Sequence, residues 1–91
     1  MKIRVSIIED DDTTRRILTE IVTTAPDLEL VSQYHRCAPA IKALPSDAPN
    51  VVLVDINLPE MNGMEAVRQL KPLMPGTQFL MLTVYEDADH I

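Results

Sequence analysis

The chain has 91 residues, 8 Lys+Arg against 14 Asp+Glu for a net charge of −6, and 46% hydrophobic residues. That length allows one small domain. An acidic chain with 3% aromatic residues is a poor nucleic-acid binder by itself. One cysteine excludes an internal disulfide framework and a cysteine-based zinc site. Neither a signal peptide nor a run of about 18 apolar residues is present, so we expect a reduced, cytoplasmic domain without membrane contact.

The first predicted elements are a strand and a helix. Residues 3–8 are mostly β-branched and predict a strand. The helix is expected to begin with Asp12 as its N-cap, and Pro26 is expected to end it. The apolar residues predicted to share its inward face are Ile17, Leu18, Ile21, Val22 and Ala25.

A second strand and a second helix follow. The strand is predicted over residues 28–31, and it is the weakest of the strand patterns. The helix is expected to begin near residue 38 and to end at Pro45, with Ile41 and Leu44 facing inward.

The rest of the chain predicts two more strands around a third helix. The continuous apolar runs 51–54 and 79–82 fit strands that are buried on both faces. The helix between them is expected to begin near Gly63 and to turn Met64, Val67, Leu70 and either Leu73 or Met74 inward. The order β-α-β-α-β-α-β predicts an α/β fold with an open parallel sheet and right-handed crossovers.

Acidic and hydroxyl side chains follow three of these strands. Four acids occupy residues 9–12, Asp55 follows the third strand, and Thr83 follows the fourth. Ligands of such sheets bind beyond the carboxyl ends of the strands, near the point where strand order reverses. Carboxylates brought together repel each other unless they share a proton or a cation, and Mg²⁺ prefers such oxygen ligands. This arrangement suits phosphoryl transfer, with Asp55 as nucleophile and Thr83 as a hydrogen-bond donor to the phosphoryl group.

Each of these residues also has an ordinary structural interpretation. A single aspartate after a strand is most often a turn or cap residue, and acids at a helix start favour the helix dipole. Asp12 is accordingly expected to be a cap and Asp11 to be solvated. The indication of a site comes from the combination of residues at three strand ends.

The sequence resembles the receiver domain of two-component response regulators. The segments with this resemblance are IIEDD at 7–11, TRRIL at 14–18, VVLVDINLPEMNGMEAV at 51–67 and MLTVYED at 81–87. The central segment is the most specific, because Pro59 and Gly63 stand four and eight residues after Asp55.

This resemblance implies a flavodoxin-like, three-layer fold and a function in signalling. It implies that a sensor histidine kinase donates a phosphoryl group to Asp55 in a Mg²⁺-dependent reaction. Glu9 and Asp10 match the acidic pair of the Mg²⁺ site, with Glu9 in place of the more usual aspartate. Asn57 matches the position whose backbone carbonyl completes the protein ligands, and Thr83 matches the switch hydroxyl.

The resemblance also implies that residues 1–91 are the N-terminal portion of a receiver domain. Family members continue with a fourth helix, a fifth strand bearing an active-site lysine, and a fifth helix. We therefore expect impaired phosphorylation, and self-association through the exposed edge of the fourth strand and nearby apolar surface. The segment at 81–87 resembles regulators of transcription that have a helix-turn-helix domain, so DNA is expected to be bound only through that output domain.

Three alternatives remain open at this point. The chain could be an inactive fragment that only folds or oligomerises. An aspartyl-phosphate hydrolase would need a second aspartate two residues after the first, where this chain has Asn57. A flavin or dinucleotide binder would need glycines after the first strand, whereas the two glycines here are Gly63 and Gly76. We expect that the domain itself is not an enzyme.

Overall fold

The computed structural model describes residues 1–59 and 61–82, which form alternating strands and helices. The predicted order and the α/β class are confirmed. The elements are β1 (Ile3–Ile8), α1 (Asp12–Thr24), β2 (Leu28–Tyr34), α2 (Cys37–Asp47), β3 (Val51–Asp55), α3 (Gly63–Leu70), a 3-10 turn (Lys71–Leu73) and β4 (Gln78–Leu82).

The four strands form one parallel sheet in the order β2-β1-β3-β4. β1 and β3 are therefore neighbours, and chain order reverses between them. Their register pairs Val5 with Val51 and Ile8 with Val54, so both strands end at the same edge of the sheet. The segments that follow these two strands are consequently brought together, as expected for an open parallel sheet.

The two faces of the sheet are covered unequally. The larger buried cluster lies on the side of α2 and α3 and includes Leu44, Val52, Val54 and Leu70. The smaller cluster lies under α1, where Val5, Ile7 and Val22 are buried. In the described part of the chain one helix thus covers the second face, and β4 is only partly buried there rather than buried on both faces as predicted.

The N-terminus of α1 differs from the prediction by one residue. Asp11, not Asp12, has the extended backbone of an N-cap, and its Oδ2 accepts a hydrogen bond of 2.8 Å from the amide of Thr14. Asp12 is the first helical residue and forms an ion pair with Arg15. The prediction that Asp12 caps the helix is therefore wrong, because the geometry of the preceding loop decides which of two adjacent acids meets the free amides. Asp11 is exposed to solvent, as expected, but it is also the residue that caps the helix.

Several side chains predicted to face inward are exposed. In α1, Val22 is buried and Leu18 is partly buried, but Ile17 and Ile21 are about half exposed. Met64, in the first turn of α3, is also exposed. Of the alternatives Leu73 and Met74, Met74 is the buried residue and Leu73 is exposed. Helical periodicity defines a wide apolar stripe, and the number of neighbours packed against the helix decides how much of that stripe is buried.

Helix α2 continues through Pro45 to Asp47 and then ends at Ala48, whose φ of 50° is left-handed. The expected stop at Pro45 is therefore wrong. A proline in the last turn removes one backbone hydrogen bond. The final turn is held by other contacts, since the Asp47 side chain accepts from the Tyr34 hydroxyl and its carbonyl accepts from Arg4.

Strand β2 extends from Leu28 to Tyr34, beyond the predicted residues 28–31, because pairing with β1 also orders its polar half. No helix among residues 1–59 and 61–82 is long and apolar enough to cross a membrane. The predicted switch residue Thr83 lies outside the described residues.

Candidate metal-binding site

Three carboxylates converge at the carboxyl edge of the sheet. Glu9 and Asp10 follow β1 directly, and Asp55 is the last residue of β3. Each offers a carboxylate oxygen, and these three oxygens lie within 4.8 Å of one another. Because β1 and β3 are paired, the short connection after β1 delivers its acids beside the end of β3. The predicted meeting of Glu9, Asp10 and Asp55 is thus present.

The side chain of Glu9 is buried and only partly satisfied by hydrogen bonds. It is 1% exposed, and its Oε2 accepts a hydrogen bond of 3.1 Å from the amide of Asp11. Its Oε1 is buried and has no hydrogen-bond partner within the described residues. An orphaned carboxylate oxygen next to two other carboxylates is an unfavourable arrangement unless a proton or a cation compensates it.

The protonation of Glu9 reflects this environment. The pKa of Glu9 is raised from 4.5 to about 7, chiefly by burial, with a smaller rise from Asp55 and Asp10 and an opposing effect of the hydrogen bond from the Asp11 amide. Asp10, in contrast, is exposed at the mouth of the cluster. The site therefore combines one nearly inaccessible carboxylate with one that faces solvent.

Contacts from Asn57 and from Gly63 hold Asp55 in place at the end of β3. Asp55 is 5% exposed, and its Oδ1 accepts a hydrogen bond of 3.0 Å from the amide of Asn57. Gly63 packs behind it so closely that an added Cβ would lie 2.2 Å from the Asp55 carbonyl oxygen. The Gly63 amide also donates to the Ile56 carbonyl at 2.8 Å. These contacts join the start of α3 to the end of β3 and fix the Asp55 backbone.

The donor set fits a hard divalent cation. Several carboxylate oxygens, one of them buried without a partner, are what Mg²⁺ uses together with water. The Asn57 carbonyl belongs to an exposed residue beside Asp55, and its role as a ligand stays a prediction, as does the role of Thr83. Asp11 and Asp12 are occupied by the helix cap and by the ion pair with Arg15, outside the cluster.

Arg15 is a contact of the site that the sequence alone did not indicate. Its Nη1 donates to the Glu9 carbonyl at 2.9 Å, and its Nη2 donates to Asp12 Oδ1. An arginine one helical turn after a run of four acids is the signal that could have identified it. That signal is weak, because most such arginines form only an exposed i,i+3 pair.

Comparison with known sequences identifies relatives over nearly the whole chain. The family described as response regulator receiver domain matches residues 5–91. The transcriptional regulatory protein DegU of Brevibacillus brevis is 31% identical over 90 residues, which are 99% of this chain and 38% of DegU. A protein-glutamate methylesterase/protein-glutamine glutaminase of Pyrococcus abyssi is 32% identical over 74 residues, 81% of this chain and 20% of that protein. The chain therefore spans well under half the length of these relatives.

Solved structures give the same fold. The response regulator domain of Thermotoga maritima CheB superposes with a TM-score of 0.84 at 25% identity, over 98% of this chain and 66% of that chain. The receiver domain of the response regulator NarL from Mycobacterium tuberculosis gives a TM-score of 0.84 at 20% identity, over 96% of this chain and 70% of that chain. The latter likeness concerns the fold alone.

The family match extends over nearly all residues. The sheet order agrees with it, as does the acidic edge, the cluster of Glu9, Asp10 and Asp55 at the carboxyl ends of the strands. Relatives of both kinds, transcriptional regulators and methylesterases, share this part of their sequence. The flavodoxin-like expectation is confirmed by the structural neighbours. This chain belongs to the family of response regulator receiver domains.

Proposed function

We propose that Asp55 is the phospho-acceptor of this domain and that a Mg²⁺ ion assists the transfer. Glu9, Asp10 and Asp55 would hold the ion through their carboxylates, together with the backbone carbonyl of Asn57. The observation that supports this most is the convergence of three carboxylate oxygens within 4.8 Å, with Glu9 Oε1 left unpartnered among the described residues.

The proposed reaction is a phosphoryl transfer from a phosphohistidine. A carboxylate oxygen of Asp55 forms a bond to phosphorus while the P–N bond to the donor imidazole breaks, which leaves an acyl phosphate on Asp55 and a neutral imidazole after protonation. The bound ion would supply positive charge for the phosphoryl oxygens. The Asn57 amide donates a hydrogen bond to Oδ1 of Asp55, whereas Oδ2 of Asp55 takes no part in this bond. The Thr83 hydroxyl would donate a hydrogen bond to an oxygen of the phosphoryl group.

The partners of the proposed reaction are a sensor histidine kinase and an output domain. DegU and the activator DevR/DosR are named as transcriptional proteins, and the second as DNA-binding. We therefore propose regulation of transcription, with DNA bound only by a segment outside these residues. The receiver part itself would accept a phosphoryl group without catalysing a reaction on a separate substrate. A cytoplasmic location belongs to the same proposal.

Residues 1–91 would be the N-terminal portion of a receiver domain that associates with a second copy of itself. β4 is the last strand in the described sheet order, and an apolar strand at an edge can pair with another chain. Ile17, Ile21 and Leu80 are each more than half exposed, which supports association through this surface.

Intact-mass measurement tests the phosphorylation. The chain is incubated with Mg²⁺ and a small-molecule phosphodonor such as acetyl phosphate. We expect a slow, incomplete gain of one phosphoryl group, in keeping with the expected impairment, that is lost in Asp55→Asn and when Mg²⁺ is chelated. Asp27→Asn is the matched control, since this exposed aspartate lies outside the cluster and should leave the gain unchanged.

The competing interpretation makes a different prediction. If the chain is an inactive fragment, it will remain folded by circular dichroism and yet gain no mass from the phosphodonor. A gain that survives Asp55→Asn would contradict the assignment of the acceptor. A hydrolase would release inorganic phosphate at multiple turnovers instead of accumulating one phosphoryl group per chain.

A further inference from the structure

Glu9 is held in place by hydrogen bonds to its backbone as well as to its side chain. Its amide donates to the Tyr34 carbonyl at 2.9 Å, which extends the pairing of β1 with β2. Its carbonyl lies beyond the last paired residues of the sheet and accepts from Arg15 Nη1 at 2.9 Å. Together with the Asp11 amide on Oε2, these bonds hold Glu9 beside Asp10 and Asp55, with its Oε1 buried and without a hydrogen-bond partner among the described residues.

Arg15 spans the whole connection between β1 and α1. It stands in the first turn of α1, and its guanidinium reaches back six residues to the Glu9 carbonyl while a second nitrogen contacts Asp12. The side chain is only 20% exposed, so the contact is partly shielded from solvent. Four consecutive acids occupy residues 9–12, and their mutual repulsion favours opening of this connection.

We propose that Arg15 is a positioning residue that orients Glu9 for cation binding. Groups that hydrogen-bond to the segment of a metal ligand fix its orientation, and their removal typically weakens metal binding by about 10- to 100-fold. Arginine suits this role because two nitrogens of its planar group contact two oxygens at once, which the single ammonium of lysine cannot reproduce. This inference rests on the proposed Mg²⁺ site and adds to it a residue that does not touch the ion.

The proposal predicts the opposite sign from simple charge repulsion. A positive guanidinium near a cation site repels the cation, so its removal should strengthen Mg²⁺ binding if charge alone mattered. If positioning dominates, its removal should weaken binding despite the loss of repulsion. The sign of the change in Mg²⁺ affinity for Arg15→Met therefore distinguishes the two effects.

The experiment measures the dissociation constant of Mg²⁺ by calorimetric titration of the whole chain. We expect Arg15→Met and Arg15→Lys each to raise it about tenfold. Arg16→Met is the matched control, because Arg16 is the exposed neighbour and its loss changes the net charge equally. It should leave the dissociation constant unchanged or slightly lower. An unchanged or lowered constant for Arg15→Met would overturn the proposal, as would full retention of affinity in Arg15→Lys.

A metal-free measurement separates this inference from the proposed function. Hydrogen exchange of the Asp11 amide reports whether its bond to Glu9 Oε2 persists without an ion. We expect exchange at least about tenfold faster in Arg15→Met and Arg15→Lys than in the wild type, with Arg16→Met unchanged. Failure of the wild type to bind Mg²⁺ would refute the proposed function alone, whereas equal exchange rates in all variants would refute the positioning role. Arg15→Lys keeps the test valid if Arg15→Met does not fold.

Discussion

At the scale of single residues, the buried carboxyl of Glu9 gives the domain a defined pH response. The pKa of Glu9 is raised to about 7, mainly by burial, whereas an unfolded glutamate titrates near 4.5. The unfolded state therefore loses this proton first as the pH rises. The stabilising contribution of neutral Glu9 is fully present below pH 4.5 and is lost as the pH passes 7.

This predicts that, without a divalent cation, the urea concentration at the midpoint of unfolding decreases as the pH is raised from 5 to 8. Glu9→Gln, which keeps the side chain neutral, should abolish the part of the fall due to Glu9 and be the more stable protein at pH 8. At pH 8, Mg²⁺ should raise the urea midpoint of the wild type and leave the urea midpoint of Glu9→Gln unchanged. Equal pH dependence in the two proteins would contradict the role given to Glu9.

At the scale of elements, the junction of α3 with β3 depends on the absence of a side chain at Gly63. An added Cβ would lie 2.2 Å from the Asp55 carbonyl oxygen, a backbone atom that cannot move without shifting the candidate acceptor. Gly63→Ala should therefore lower the free energy of unfolding by about 2–3 kcal/mol. Gly76→Ala is the matched control, since nothing lies within 4 Å of its added Cβ and its φ is not positive.

Gly76→Ala is expected to be neutral or to stabilise the protein by up to about 1 kcal/mol, through reduced freedom of the unfolded chain. Chemical denaturation of the two variants measures this difference. Similar effects of the two substitutions would mean that α3 can move away from β3 at little cost, which would also weaken the argument that this contact fixes Asp55.

At the scale of the whole molecule, the proposed self-association would use the apolar surface beside α1 and along β4. Ile21 and Leu80 are 57% and 52% exposed, and β4 is at the edge of the described sheet. We predict that Leu80→Lys shifts the chain toward monomer in light scattering at high concentration. Its stability should change by less than about 0.5 kcal/mol, as for an exposed position.

The control for this prediction is Met64→Lys, because Met64 is similarly exposed, at 58%, but belongs to α3 and not to β4. It should leave the association state of the chain unchanged. A wild-type chain that remains a folded monomer at high concentration would remove the association proposal. Equal effects of Leu80→Lys and Met64→Lys would point to general solubility instead of a defined surface.

Much of the fold could be predicted from the sequence because its periodicity is local. The runs at 51–54 and 79–82, and the helical stretches between strands, are properties of neighbouring residues, so the order of elements followed from them. The candidate ligands could also be predicted, since carboxylates directly after parallel strands meet at one edge. The exposure of Ile17 and the passage of α2 through Pro45 could not, because both depend on partners distant in the chain.

The sequence by itself determined the strand-helix alternation, the acidic edge with Asp55, and the resemblance to receiver domains, because these reside in short segments of residue types and spacings. Only the tertiary structure decided which acid caps α1, which carboxylate is buried, and that Arg15 contacts the Glu9 carbonyl. Adjacent acids are equivalent in a sequence. They become different only when packing gives one of them free amides, another a buried environment and a third open solvent.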